Sequence, residues 1–122
     1  MNNILLIAIG GALGSISRYG CQKWIYHLYA NPYPFGTFTV NVLGSFLVGL
    51  FFALSEKSYL TSRGWTLFLI IGFCGGFTTF SAFSLETLSL MRNGDVLAAL
   101  LYIIASVTIG LLAVWGGYSI IH

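Results

Sequence analysis

Glu86 is the one carboxylate of this chain that lies inside a long apolar run; Glu56 and Asp95 fall in short polar connections. Hydrogen-bond donors recur at helical spacing elsewhere. Thr37, Asn41 and Ser45 follow one another at intervals of four, as do Tyr102, Ser106 and Gly110, so each set shares one helix face. In the run that holds Glu86, the stripe is Thr79, Phe83, Glu86 and Thr87, with Phe80 beside it and hydroxyls at Ser81 and Ser84. Such a set suits holding and passing an ion better than making bonds. Glu86 has no His, Lys or nucleophile in its own span with which to form a catalytic pair. Cys21, Cys74, His27 and His122 are too far apart for a zinc spacing. The glycines near position 75 lack the lysine and the preceding strand of a phosphate loop. The chain is therefore expected to be a channel or transporter and not an enzyme.

The donors indicate the sign of the ion. Cation pathways usually carry acidic residues, whereas this chain offers many hydroxyls and amides and a single acid. Phe80 and Phe83, at i and i+3, could turn positive ring edges to a pathway, although phenylalanine in a membrane helix most often only packs. A small anion stripped of water would need closely spaced donors to replace its hydration shell. The residues favour an anion without naming one.

These side chains need a bilayer around them. Of 122 residues, 57% are hydrophobic and 7% charged, far below the roughly 25% charged of soluble domains. The composition excludes a soluble fold, and a net charge of +2 gives no basic patch for nucleic acid. A spanning helix takes about 20 residues, so the chain reads as one all-α membrane domain, 1–122. Its four spans are expected at about 4–26, 36–55, 65–91 and 96–121. The N-terminus lacks the basic region and cleavage-type ending of a signal peptide, so the first run is expected to be a retained span. Arg18 and Lys23 interrupt its end; Arg18 either snorkels to the headgroups or draws anions to a pathway mouth. Tyr26, His27 and Tyr29 suit an interfacial belt. Turns are expected from Tyr29 to Phe35 and at Arg92-Asn93-Gly94-Asp95, and a polar loop from Glu56 to Arg63. Both cysteines are expected as free thiols.

The third run, Trp65 to Met91, is longer than one span needs and holds Gly72, Gly75 and Gly76 followed by Thr78-Thr79. A break in the third helix is expected there, tolerated where freed backbone is buried in protein or faces an ion; close helix packing is the plainer use of the glycines. Lys57 and Arg63 lie on one side of a four-span layout, Lys23 and Arg92 on the other, with Arg18 near the second. That balance leaves the positive-inside rule little to act on. It allows insertion both ways and an antiparallel homodimer.

At Gly75-Gly76-Phe77-Thr78-Thr79-Phe80-Ser81-Ala82-Phe83-Ser84-Leu85-Glu86 the chain closely resembles the small bacterial fluoride channels of the CrcB type. Gly36-Thr37-Phe38-Thr39-Val40-Asn41-Val42-Leu43-Gly44 resembles that family's second-helix motif, and Gly10-Gly11-Ala12-Leu13-Gly14 with Arg18-Tyr19 its first. The third-helix motif is specific, and the resemblance extends over the whole chain. It implies a multi-pass protein of the bacterial cytoplasmic membrane, among lipid, that exports fluoride passively as an antiparallel homodimer with two pores. Phe80 and Phe83 would line each pore, with rings from both subunits, and Asn41 would donate to fluoride. Thr37, Glu86, Tyr102 and Ser106 would lie on the polar side of the path, Ser81 would be a further pore donor, and Arg18 would stand near the vestibule. The carbonyls of Gly75 and Thr78 would hold one central sodium ion.

Two other classes share some of these features. Small four-helix drug exporters match in size and charge balance but use a carboxylate in the first helix, where this chain has none. A purely structural bundle subunit would need neither the break nor three aligned polar stripes.

Overall fold

The structure, a computed structural model, describes residues 2–30, 33–57 and 63–122. Four helical segments are long and apolar enough to cross a membrane: Asn3–Leu28, Phe35–Glu56, Arg63–Arg92 and Val96–Ile121. The expected turn at Asn31-Pro32 and the middle of the second loop, residues 58–62, lie outside the described residues.

Helix α1, Asn3–Leu28, starts where the Asn2 side chain accepts the Ile4 amide at 2.8 Å, an N-cap that satisfies a free donor of the first turn. Gly10 and Gly14 are its buried residues. A Cβ at Gly14 would strike the Phe73 carbonyl, so α1 and the third span meet backbone to backbone. Toward its other end Trp24, Tyr26, His27 and Tyr29 are exposed, and the Lys23 ammonium lies 6.0 Å from the Tyr19 ring. Helix α2, Phe35–Glu56, buries Thr37, Val40, Gly44, Gly49 and Ala53, steps of three to five that keep one face inward.

The third span is composite. A turn of α-helix, α3 (Arg63–Thr66), leads into a π-helical stretch, Leu67–Cys74, in which the Gly75 amide reaches the Ile70 carbonyl five residues back. One α turn, α4 (Gly75–Phe77), follows. Thr78 and Thr79 then take extended angles (φ −91°, ψ 157° and φ −150°, ψ 117°), which suit β-branched side chains. Helix α5, Phe80–Arg92, begins with Thr79 as its N-cap, the hydroxyl accepting the Ala82 amide at 3.2 Å. Gly94, at φ +82°, turns the chain into α6, Val96–Ile121, capped by Asp95, whose Oδ1 accepts the Ala98 amide. The other Asp95 oxygen accepts the Tyr33 hydroxyl at 3.2 Å; that bond holds the phenol above its ordinary pKa and ties the first connection to the third.

Helix α1 packs on the π-helical stretch and α4, while α2 packs along α6. Between α2, α5 and α6 lies a small core of Leu90, Ala99 and Tyr102, flanked by Phe38, Phe83 and Ala98. The α2–α6 seam depends on small residues: a Cβ at Gly49 would collide with the Val114 carbonyl, and one at Gly117 with the Phe46 carbonyl. Gly49→Ala therefore forces these backbones apart, and overpacking of this kind costs about 1–3 kcal/mol. Its thermal unfolding midpoint in detergent is expected to fall by several degrees; an unchanged midpoint would show the seam to be looser than its geometry.

Candidate functional site

One residue from each polar stripe of α2 and α6 meets Glu86 of α5. Thr37, 2% exposed, donates its hydroxyl to Glu86 Oε2 at 2.8 Å. From α6 the Tyr102 hydroxyl donates to Glu86 Oε1 at 3.0 Å. Each carboxylate oxygen thus receives one hydroxyl from a different helix, which is how a carboxyl group can sit inside an apolar bundle. The Thr37 oxygen accepts from Gln22 Nε2 of α1 at 3.0 Å.

One turn further along α2, Asn41 meets the extended backbone at Thr79. Its Oδ1 accepts the Thr79 amide at 2.8 Å and its Nδ2 donates to the Thr79 carbonyl at 3.1 Å. A side-chain amide thereby stands in for the helical partners that an extended residue loses. The second Nδ2 hydrogen is not used on Thr79.

Beside this clamp lies a groove of about 340 Å³, lined by Asn41, Ser45, Val48, Thr78, Thr79, Phe80, Phe83, Ser106, Val107 and Val114. Donors from α2 and α6 thus share one hollow with both rings of α5. The Phe80 and Phe83 rings lie 5.7 Å apart and tilted by 46°, and Phe83 leans on Tyr102 at 5.0 Å. Phe80 is 78% exposed. Ser81 and Ser84 are exposed next to it; the Ser81 hydroxyl lies 3.3 Å from Thr79 Oγ1, and Ser84 donates to the Phe80 carbonyl. Among the described residues, Ser106 Oγ is a buried side-chain oxygen without a hydrogen-bond partner.

Arg18 was open to two destinations in the sequence, the headgroups or a pathway mouth. Its Nε donates to the Gly76 carbonyl at 3.0 Å, so the guanidinium turns toward the third span. Gly75 and Thr78 flank that contact. In a continuous helix their carbonyls would accept the amides of Thr79 and Ala82, but those amides go to Asn41 Oδ1 and Thr79 Oγ1.

Of the polar and aromatic side chains of this constellation, Gln22 alone has no place in the sequence stripes and motifs; the groove-lining Val48, Val107 and Val114 and the role of the Thr79 backbone are also legible only in the fold. Gln22 carried one usable signal: it continues the i+4 series Gly10, Gly14, Arg18 on the face of α1 that meets the rest of the protein.

A family model described as CrcB-like protein, Camphor Resistance (CrcB), matches residues 5–118. The chain belongs to the CrcB family. Among curated relatives of this CrcB-family chain, a protein of Rhizobium etli is 45% identical over 122 residues, covering 100% of this chain and 98% of its own. One of Flavobacterium psychrophilum is 45% identical over 120 residues (98% and 97%), and one of Thermus thermophilus 47% over 116 residues (95% and 91%). All three carry the name fluoride-specific ion channel FluC. With its family and its four apolar helices, the CrcB-family chain is a multi-pass protein of the bacterial cytoplasmic membrane and not an enzyme.

Proposed function

We propose that this protein is a fluoride-selective channel that lets fluoride leave the cell passively. The observation that carries the reading is the groove in which Asn41, Ser45 and Ser106 face the rings of Phe80 and Phe83, with hydroxyls and amides and no carboxylate in its lining. The full-length similarity to proteins named fluoride-specific ion channels supports the same conclusion.

In this reading Phe80 and Phe83 turn ring edges to the ion, and Asn41, through its second Nδ2 hydrogen, Ser81 and Ser106 replace hydration water. Thr37 and Tyr102 hold donors on Glu86 that a passing anion can borrow. Arg18 stands near the vestibule, where its charge raises the local anion concentration. Fluoride that enters as the neutral acid ionises in the cytoplasm, so a passive anion path suffices for export and protects against fluoride toxicity.

The working unit in this reading is an antiparallel homodimer with two pores. The groove opens on the surface of one chain, where Phe80 of its lining is exposed, and Ser81 and Ser84 are exposed on the same helix. In a bilayer those hydroxyls would face lipid unless a second copy covered them. The balance of Lys57 and Arg63 against Lys23 and Arg92 lets the two copies insert oppositely. Thr78 and Thr79 form the break in the third helix. The Gly75 and Thr78 carbonyls, whose usual amides are diverted, fit a sodium ion, a hard cation that takes oxygen ligands. Among the described residues no cluster of His, Cys, Asp or Glu offers a rival metal site. Bound there between two subunits, sodium would supply structural charge at the centre of the dimer.

Liposomes holding the purified protein test the reading, with fluoride and chloride efflux compared at matched gradients. Rapid fluoride efflux with negligible chloride efflux is expected. Folded protein that passes no fluoride would overturn it, and proton-coupled uptake of a cationic drug would be measured next.

A further inference from the structure

The hydrogen-bond chain that ends on Glu86 begins on another helix, at Gln22 of α1. We propose that Gln22 is a positioning residue for ion passage, which fixes the direction of the Thr37 hydroxyl and keeps it a donor toward Glu86. The inference rests on the channel reading above.

The Thr37 hydroxyl has one hydrogen, and it lies on Glu86 Oε2 at 2.8 Å. The atom of Gln22 that faces the Thr37 oxygen at 3.0 Å must therefore be the donating nitrogen, because two acceptors would repel. Gln22 is also seated. A Cβ at Gly36 would come within 3.3–3.4 Å of its Cα, Cβ and Cγ, so the glycine in the first turn of α2 leaves room for this side chain to lie across it. The amide is thus held against the first turn of α2 by packing as well as by the hydrogen bond.

The consequence is one of polarity. A threonine hydroxyl in a helix otherwise tends to donate to a carbonyl of the preceding turn. With Gln22 donating to its oxygen, the Thr37 hydrogen points at the carboxylate, as the Tyr102 hydrogen does from the opposite side. An anion arriving beside Glu86 then finds two hydroxyls already aimed inward, and both can turn to it without reversing the order of donors and acceptors. Donors preorganised in this way need only a small turn toward the ion, with no exchange of donor and acceptor roles along the chain.

The test is maximal fluoride efflux from liposomes holding full-length protein, wild type against Gln22→Glu, Gln22→Met, Thr37→Val and the double variants. Gln22→Glu keeps size and seat but replaces a donor with acceptors, which draw the Thr37 hydrogen away from Glu86. A loss of about tenfold is expected, the scale of one hydrogen bond to a charged group. Gln22→Met keeps the length and the seat on Gly36 and leaves the hydroxyl unguided; about a threefold loss is expected. In the Thr37→Val background neither change should lower efflux further, because the group they act through is gone. Wild-type rates in Gln22→Glu, equal losses for Met and Glu, or undiminished losses in the Thr37→Val background would each overturn the proposal and leave the channel reading standing. A wild-type protein that passes no fluoride would overturn both. If Gln22→Glu is not recovered folded, the Met pair decides: a loss only with Thr37 present supports the proposal, and the same loss in both backgrounds overturns it.

Discussion

Phe80→Ile is expected to bring fluoride efflux down to the leak of protein-free liposomes, at least about a hundredfold below wild type, with the fold intact. The ring is 78% exposed in the chain, and its centroid lies 5.7 Å from that of Phe83. Its backbone carbonyl accepts the Ser84 hydroxyl at 3.0 Å, a bond that isoleucine keeps. Little of the single chain's own core is lost, so the four-helix fold of each copy is expected to stand. The groove changes far more. Isoleucine presents branched methyl groups where a ring edge carried positive charge, and it has no donor to offer instead. Aromatic quadrupole contacts are worth about 0.5–1.5 kcal/mol between rings, and a desolvated ion in a low-dielectric groove feels them more strongly. A hundredfold loss corresponds to about 2.7 kcal/mol at the barrier. Efflux rates and elution volume on the same preparation check the prediction; efflux above half the wild-type rate would remove Phe80 from the path.

Membrane helices announce themselves through hydropathy because no other element can close its own backbone hydrogen bonds in lipid. The all-helical fold and its four spans were therefore legible in the sequence. The stripes were legible for a related reason. A polar residue every four positions in an apolar helix must face protein, and Thr37, Asn41 and Tyr102 do face the third span or its neighbours. Spacing names a face but not a partner. The family resemblance makes Asn41 an expected ion donor, and in the fold both polar atoms of its amide group meet the Thr79 backbone. Arg18 could have gone to headgroups or to a vestibule, and the carbonyl that receives its Nε belongs to Gly76, 58 residues on. Leu67–Cys74 is nearly all apolar, with nothing in its pattern to separate a π-helical from an α-helical winding. Gln22 is hard to read from sequence because a single glutamine has no periodicity of its own; only the glycines and Arg18 before it on the same face mark it as inward.

Asn41→Asp, the other large effect, follows from that pair of roles. Aspartate can still accept the Thr79 amide, so the 2.8 Å bond of the clamp survives. The donor to the Thr79 carbonyl is lost, and a carboxylate oxygen takes its place against a carbonyl oxygen now 3.1 Å from nitrogen. A buried acceptor left facing an acceptor costs about 1–3 kcal/mol, which is expected to lower the unfolding midpoint by several degrees while the protein still folds. The effect on passage is larger. Two unit negative charges 4 Å apart repel by about 4 kcal/mol at an effective dielectric of 20, which corresponds to roughly a thousandfold in rate. Fluoride efflux at pH 7.5 is expected to fall by about that factor. Lowering the pH should restore part of it, since a protonated aspartate regains one donor and loses the charge; the sign follows from the carboxylate being the inhibitory form. Efflux from pH 5 to 8 on Asn41→Asp liposomes, with the neutral-acid leak of protein-free liposomes subtracted at each pH, tests both points. Wild-type efflux across that range would place the ion away from Asn41, and a low rate that ignores pH would assign the loss to the broken clamp instead of to charge.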